Sequence, residues 1–329
     1  MRRRVRLACA LPFLVFVVTT LDAQSSHSDS NRPAWLEPYR EPSARLIGEA
    51  LGSTFAWDRL AVLTDTIGHR LSGSPALERA VQWAVAEMTR DGLENVRAAR
   101  VMVPKWVRGQ ESAEIVEPAH HAMVMLGLGD SVGTKPEGVH GEVLVVDSFE
   151  ELDAKASAAR GRIVLFNVPF TSYGETVRFR AAGPSRAARH GAIAALVRAV
   201  GPPGLRTPHT GALQYASDAP KIPAAAISTE DADRIERMTA RNNKVVVRLK
   251  MEAHFEADAE SANVVGEIRG REFPDEVVVV SGHLDSWDVG AGATDDGGGC
   301  GVHRRCQSHR APGRARAHGS HASHARIEK

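Results

Sequence analysis

Four consecutive valines, Val277 to Val280, stand between Glu276 and the pair Ser281-Gly282. A β-branched run this apolar predicts a strand buried on both faces of a parallel sheet. The chain then turns polar at once, through His283-Leu284-Asp285-Ser286-Trp287-Asp288 to Ala293-Thr294-Asp295-Asp296-Gly297-Gly298-Gly299. His283, Asp285 and Asp295 are therefore expected on the loop leaving the strand's carboxyl end, where open α/β sheets place their chemistry. Imidazole together with carboxylate suits zinc or a similar divalent ion. The surrounding glycines let backbone approach a metal without interference from Cβ. Taken singly, a His-x-Asp is an ordinary surface pair and Asp-Asp-Gly-Gly-Gly an ordinary acidic turn. Their joint position after one apolar strand is what argues for a metal site.

The chain upstream has the grammar of an exported α/β protein. Residues 1–23 open with Arg2, Arg3, Arg4 and Arg6, continue through an apolar run from Leu7 to Thr20, and close on the cleavage-like Leu21-Asp22-Ala23. This reads as a secretory signal, too short for a comfortable membrane span. Secretion or export to a periplasm follows. Residues 24–43, with prolines at 33, 38 and 42, read as a linker. Ser74-Pro75 predicts a helix start, serine as N-cap and proline at the first helical position. Leu77, Val81, Ala84, Val85 and Met88 then recur at helical spacing until Gly92.

Residues 121–253 read as a separate compact α/β module. Strands are expected at 141–146, 162–166, 192–197, 222–227 and 245–249, and helices at 177–190 and 230–240. No cluster of His, Cys and carboxylates at ligand spacing occurs in it. Its His190 and His209, like His254 just beyond it, read as surface or loop residues. Cys300 and Cys306 are too close in sequence for a bridge of much value, and no disulfide is assigned.

The run Gly282-His283-Leu284-Asp285-Ser286-Trp287-Asp288-Val289-Gly290-Ala291-Gly292-Ala293-Thr294-Asp295-Asp296 resembles the first metal-binding segment of the zinc exopeptidases of the carboxypeptidase Q type. Arg70-Leu71-Ser72-Gly73-Ser74-Pro75, Trp83-Ala84-Val85 and Pro104-Lys105-Trp106-Val107-Arg108-Gly109 are similar to the opening of that family, with Trp83 and Trp106 expected to pack rather than touch substrate. The likeness extends over about residues 45–300. It implies a mostly parallel zinc-exopeptidase sheet domain, residues 44–120 and 254–300, interrupted by a protease-associated domain at 121–253. It implies hydrolysis of small peptides by two zinc ions sharing a bridging carboxylate and water. His283 would be a ligand to one metal, Asp295 the bridge, and Asp285 the catalytic carboxylate that orients His283. Local chemistry leaves Asp295 and Asp296 equally eligible as bridge; the resemblance picks Asp295.

The pattern breaks at residue 301. Residues 24–300 carry 30 Lys+Arg against 38 Asp+Glu, whereas 301–329 carries seven basic residues, five histidines and the single acid Glu328. Such a segment buries no core and is expected to be disordered. Its Arg, Ala, His, Gly, Ser and Pro content is that of a GC-rich gene read out of frame. The resemblance calls here for a Glu-Glu pair and a further Asp and His, none of which has a counterpart. The chain as given is therefore expected to be inactive, a truncated member of a peptidase family. The alternative is a non-catalytic secreted binding module using the protease-associated domain. The basic tail invites a polyanion reading and its histidines a metal-scavenging one. An exported hydrolase needs neither, so neither nucleic acid nor a membrane is expected as a partner.

Overall fold

The computed structural model describes residues 33–300; the expected secretory signal at 1–23, the first part of the expected linker and the 301–329 tail lie outside the described residues. The chain enters as helix α1, Glu37–Leu51, followed by α2, Phe55–Ala61, and α3, Pro75–Arg90. The linker expectation thus fails from residue 37 onward. Pro38 sits in the first turn, where it costs no hydrogen bond, and Pro42 is carried inside the helix. No residue of α1 is buried.

Helix α3 is built as its sequence predicts. Ser74 accepts from the Leu77 N–H at 3.2 Å, Pro75 follows, and Leu77, Ala80, Val81, Ala84 and Glu87 form the buried stripe. That stripe covers a two-stranded antiparallel ribbon of β1, Glu94–Val103, and β12, Ala259–Glu267. Arg59 of α2 ties the helices together by pairing with Glu87 at 2.8 Å and with Asp91 at 2.5 Å.

Between the two ribbon strands lies an eight-stranded sheet. It contains β3 Glu111–Glu117, β4 His121–Met123, β5 Met125–Gly127, β6 Val139–Val146, β7 Ile163–Phe166, β8 Ala194–Arg198, β9 Ala224–Ile227 and β10 Val246–Met251. The order is β4-β3-β10-β6-β7-β8-β9-β5. Pairing is parallel only across β6-β7-β8-β9 and antiparallel elsewhere. Two-residue strands β2, Trp106–Val107, and β11, His254–Phe255, pair beside it. The helices are α4 Phe149–Ala154, α5 Ala156–Ala159, α6 Tyr173–Arg189 and α7 Thr229–Thr239. Pleating sends alternate residues to opposite faces. Val164 and Phe166 meet Phe149, Leu152 and Phe179 on the α4–α6 side. Ile163 and Leu165 meet Ile235, Val247 and Leu249 on the α7 side. Both faces being covered, β7 is apolar at every position.

Two expectations require correction. The mostly parallel sheet expected for residues 44–120 and 254–300 is not seen among the described residues: those segments pair as the antiparallel β1–β12 and β2–β11 ribbons, and the eight-stranded sheet, itself mixed, takes in β3, which precedes residue 121. The valine run is not a buried strand: Val277 to Val280 are 80, 87, 80 and 50% exposed and belong to no ladder. A strand exists only through its neighbours. Among the described residues, β1 and β12 are occupied with each other and the large sheet ends at β4 and β5, so nothing pairs with the valines.

Asp231 locks one corner of the module. Its carboxylate, 3% exposed, accepts from the Val124 N–H at 2.9 Å, from Ser228 Oγ at 2.8 Å and from Arg206, and it contacts the His121 ring at 2.9 Å. Burial alone would raise its pKa, but the hydrogen bonds from His121, Val124, Ser228 and Arg206 outweigh it and hold the carboxyl below its ordinary value. A depressed folded-state pKa gives stability that is present above the unfolded value of about 3.9 and is lost as pH falls through the folded value. Asp231→Ala is expected to lower unfolding free energy at pH 7 by about 3 kcal/mol in urea titration, the upper range for hydrogen bonds to a charged group. The deficit should shrink in acid. A loss below about 1 kcal/mol would contradict this account.

Candidate metal centre

The valine run delivers the chain into a loop whose ends are brought together. His283 Nε2 stands 2.7 Å from Asp295 Oδ1. The other ring nitrogen, Nδ1, faces Asp285, 3.0 Å from its carbonyl and 3.2 Å from its Oδ1. The His283 N–H donates to Asp296 Oδ2 at 3.2 Å, and Cys300 Sγ donates to the His283 carbonyl at 3.3 Å. Glycines make room where the Asp296 side chain folds back. A Cβ on Gly282 would lie 2.7 Å from Asp296 Oδ2, and one on Gly299 would lie 2.1 Å from Oδ1.

Arg70, fully buried, spans the loop from beneath. Its Nε donates to the Leu284 carbonyl at 2.7 Å, Nη1 to Ala291 at 2.7 Å and to Gly68, and Nη2 to Gly292 at 3.3 Å. Backbone joins in both directions: Arg70 N–H donates to Ser286 Oγ, and Ser286 N–H donates to the Arg70 carbonyl, each at 3.0 Å. Burial lowers the Arg70 pKa, partly offset by Cys300 and Asp285. Gly292 sits at φ +58°, and a Cβ there would lie 2.4 Å from that of Ser286 and 2.9 Å from Arg70 Nη2.

The module grips the loop from the other side. Arg108, 8% exposed, makes a two-pronged pair with Asp288, Nε to Oδ2 at 2.7 Å and Nη2 to Oδ1 at 2.8 Å. Its Nη1 reaches the Gly127 carbonyl on β5 at 2.6 Å, and Glu111 on β3 accepts from the Gly127 N–H at 2.9 Å. Burial pulls the Arg108 guanidinium down, but Asp288 and Glu111 outweigh it and raise its pKa, while burial raises that of Glu111. Trp287 lies against Gly129, where a Cβ would come 2.1 Å from the indole. Trp106, expected to pack, is 5% exposed and donates to the Ser131 carbonyl.

His283, Asp285 and Asp295 are thus brought together. The structure presents the imidazole Nε2 and an exposed carboxylate toward each other, with Asp285 positioned to hold Nδ1 and so set which nitrogen is free. The side chains of His283 and Asp295 are 50 and 90% exposed. Burial depresses the His283 pKa, but its bond to Asp295 and the charge of Asp285 raise it overall. The pair has the donor chemistry for zinc. Among the described residues, no group of three or more His, Cys, Asp and Glu side chains converges as a metal cage. Sequence reasoning missed the roles of Arg70, Arg108 and Asp288. Their signal was present only as motif letters, because all three act on backbone or across sequence separations that no spacing rule reaches.

Comparison with known proteins places this loop in context. Residues 263–305 match Peptidase family M28. The chain is 51% identical over 244 residues to mouse (Mus musculus) carboxypeptidase Q and 50% identical to the human (Homo sapiens) protein, alignments covering 74% of this chain and 52% of each relative. It therefore spans about half the length of the curated relatives it matches. Among solved structures, a Peptidase M28 precursor from Shewanella amazonensis superposes with a TM-score of 0.75 at 34% identity, covering 78% of this chain and 60% of that one. A zinc aminopeptidase from Bacillus subtilis superposes with a TM-score of 0.56 at 18% identity, covering 77% and 57%, a likeness of fold alone.

The Arg108–Asp288 pair yields a stability test. Asp288→Ala leaves a buried guanidinium with the longer contact to Glu111 at 3.5 Å as its only carboxylate partner, and removing one partner of such a pair costs up to about 3–5 kcal/mol. Chemical unfolding should show that loss. Arg108→Ala combined with Asp288→Ala should cost less than the two single losses added, since the second change removes a charge already orphaned. Strict additivity would mean the pair is not coupled.

Proposed function

The chain resembles carboxypeptidase Q and carries the metal-loop segment of Peptidase family M28, and on that premise we propose that it is the first metal-binding half of an exported zinc exopeptidase acting on small peptides. The observation that supports this best is the His283 ring, with Nδ1 at Asp285 and Nε2 aimed at Asp295. In this reading His283 and Asp295 are zinc ligands and Asp285 fixes the ring. In a complete site Asp295 would be the carboxylate shared between two ions. When bound, zinc supplies Lewis-acid polarisation of the scissile carbonyl and acidification of water.

Residues 1–23 act as the export signal in this proposal, and the module around 121–253 as a protease-associated domain within a peptidase domain formed by 44–120 and 254–300. No helix among the described residues is long and apolar enough to cross a membrane. The relatives are named as peptidases, which favours the enzyme over a binding module.

Two protein ligands are fewer than the three or four usual for zinc, so binding is weak. Without a positioned glutamate, the site also lacks a general base, typically worth about 10²–10⁴-fold. Calorimetric zinc titration should show a weak component that His283→Ala and Asp295→Ala each remove. A dipeptide panel should show no zinc-dependent turnover by the 329-residue chain. Tight binding indifferent to His283→Ala would put the site elsewhere, and turnover abolished by Asp295→Ala would overturn the inactivity.

A further inference from the structure

A guanidinium taken wholly out of water needs compensation for each donor it buries. Arg70 finds it in carbonyls rather than in a carboxylate. The recipients are not scattered. Leu284 follows His283 directly, whereas Ala291 and Gly292 lie just ahead of the Ala293–Gly297 turn that carries Asp295. One rigid fork therefore fixes both ends of the span that separates the two facing side chains. The reciprocal Arg70–Ser286 backbone link fixes its middle, and the Gly297 N–H closes the turn on the Gly292 carbonyl at 3.0 Å. The fork is donor-matched to this geometry, and a lysine could satisfy only one point of it.

We infer that Arg70 is the positioning residue of the metal loop: by holding the carbonyls of residues 284, 291 and 292 it sets the approach of His283 to Asp295. It contributes no ligand atom and acts through backbone. The inference rests on the metal-site reading, yet its geometric half stands without metal, so the two can fail separately.

The test uses the full chain and the variants Arg70→Lys and Arg70→Met. Without metal, amide exchange is followed by mass spectrometry over residues 283–297 and, as an internal control for folding, over β6–β9. Exchange across 283–297 should accelerate at least about tenfold in both variants while the sheet stays protected, because local opening is independent of the global core. With zinc, the component lost in His283→Ala should weaken about 10–100-fold, the usual effect of removing an outer-shell support. Arg70→Lys should lose less than Arg70→Met. The visible spectrum of cobalt(II) bound to the same component should change as well, reporting altered ligand geometry.

Should Arg70→Met fail to protect its sheet, Ser286→Ala removes the acceptor of the Arg70 N–H together with the hydroxyl's contacts to the Trp287 and Gly290 carbonyls, leaves the guanidinium fork in place, and should raise loop exchange by a smaller factor. Unchanged exchange across 283–297 in Arg70→Lys and Ser286→Ala would overturn the inference. Equal zinc binding by the native chain and His283→Ala would instead overturn the metal reading and leave the exchange result to decide the role of Arg70.

Discussion

The loop bearing His283 and Asp295 depends on a cation that touches no metal and no substrate. A guanidinium in a dry interior is among the costlier groups to place, and it is tolerated only where its donors are met. At Arg70 four of the five N–H donors are met by carbonyls, one of them that of Gly68 and three those of Leu284, Ala291 and Gly292, in a segment that has no helix or ladder to satisfy them otherwise. Each side solves the other's problem. The loop acquires a shape without regular secondary structure, and the charge acquires a shell. Glycine at 292 is part of the same bargain, because its left-handed backbone and missing Cβ are what let Ser286 and Arg70 approach.

A second arginine makes the α/β module part of that site. Arg108 reads the carboxylate of Asp288 with two parallel hydrogen bonds and spends its remaining nitrogen on β5. The module's central strands, with apolar clusters packed on both faces, serve as the abutment. Trp287 pressed onto Gly129 seals the contact. The 283–297 loop is thus supported through Arg70 on one side and, on the other, through Arg108, whose Nη1 rests on β5, while the His283 and Asp295 side chains stay exposed.

Local chemistry was legible from residues, and non-local pairing was not. Ser74-Pro75 announces its helix because capping is settled within four residues, and β7 announces itself because a strand covered on both faces is apolar throughout. His283, Asp285 and Asp295 were legible as a group because each is ordinary alone and only their joint position in one glycine-rich stretch marks them, and the structure does bring the three together. Val277 to Val280 misled because strand propensity is a statement about fit to neighbours, and the described chain offers them none. Helix α1 was hidden by prolines that fall where a helix can hold them. Arg70 was hidden for a deeper reason: its partners are carbonyl groups, which every residue possesses and no sequence pattern marks.

The central claim is that His283 and Asp295 form one half-site whose imidazole binds through Nε2. X-ray absorption at the zinc K-edge on the zinc-loaded chain tests it directly, by comparing the native protein with His283→Ala. The account predicts one imidazole and carboxylate oxygen near about 2.0–2.2 Å in the native spectrum, and loss of that imidazole contribution in the variant. A native spectrum dominated by several imidazoles and unchanged by His283→Ala would place the zinc on other histidines and contradict the account.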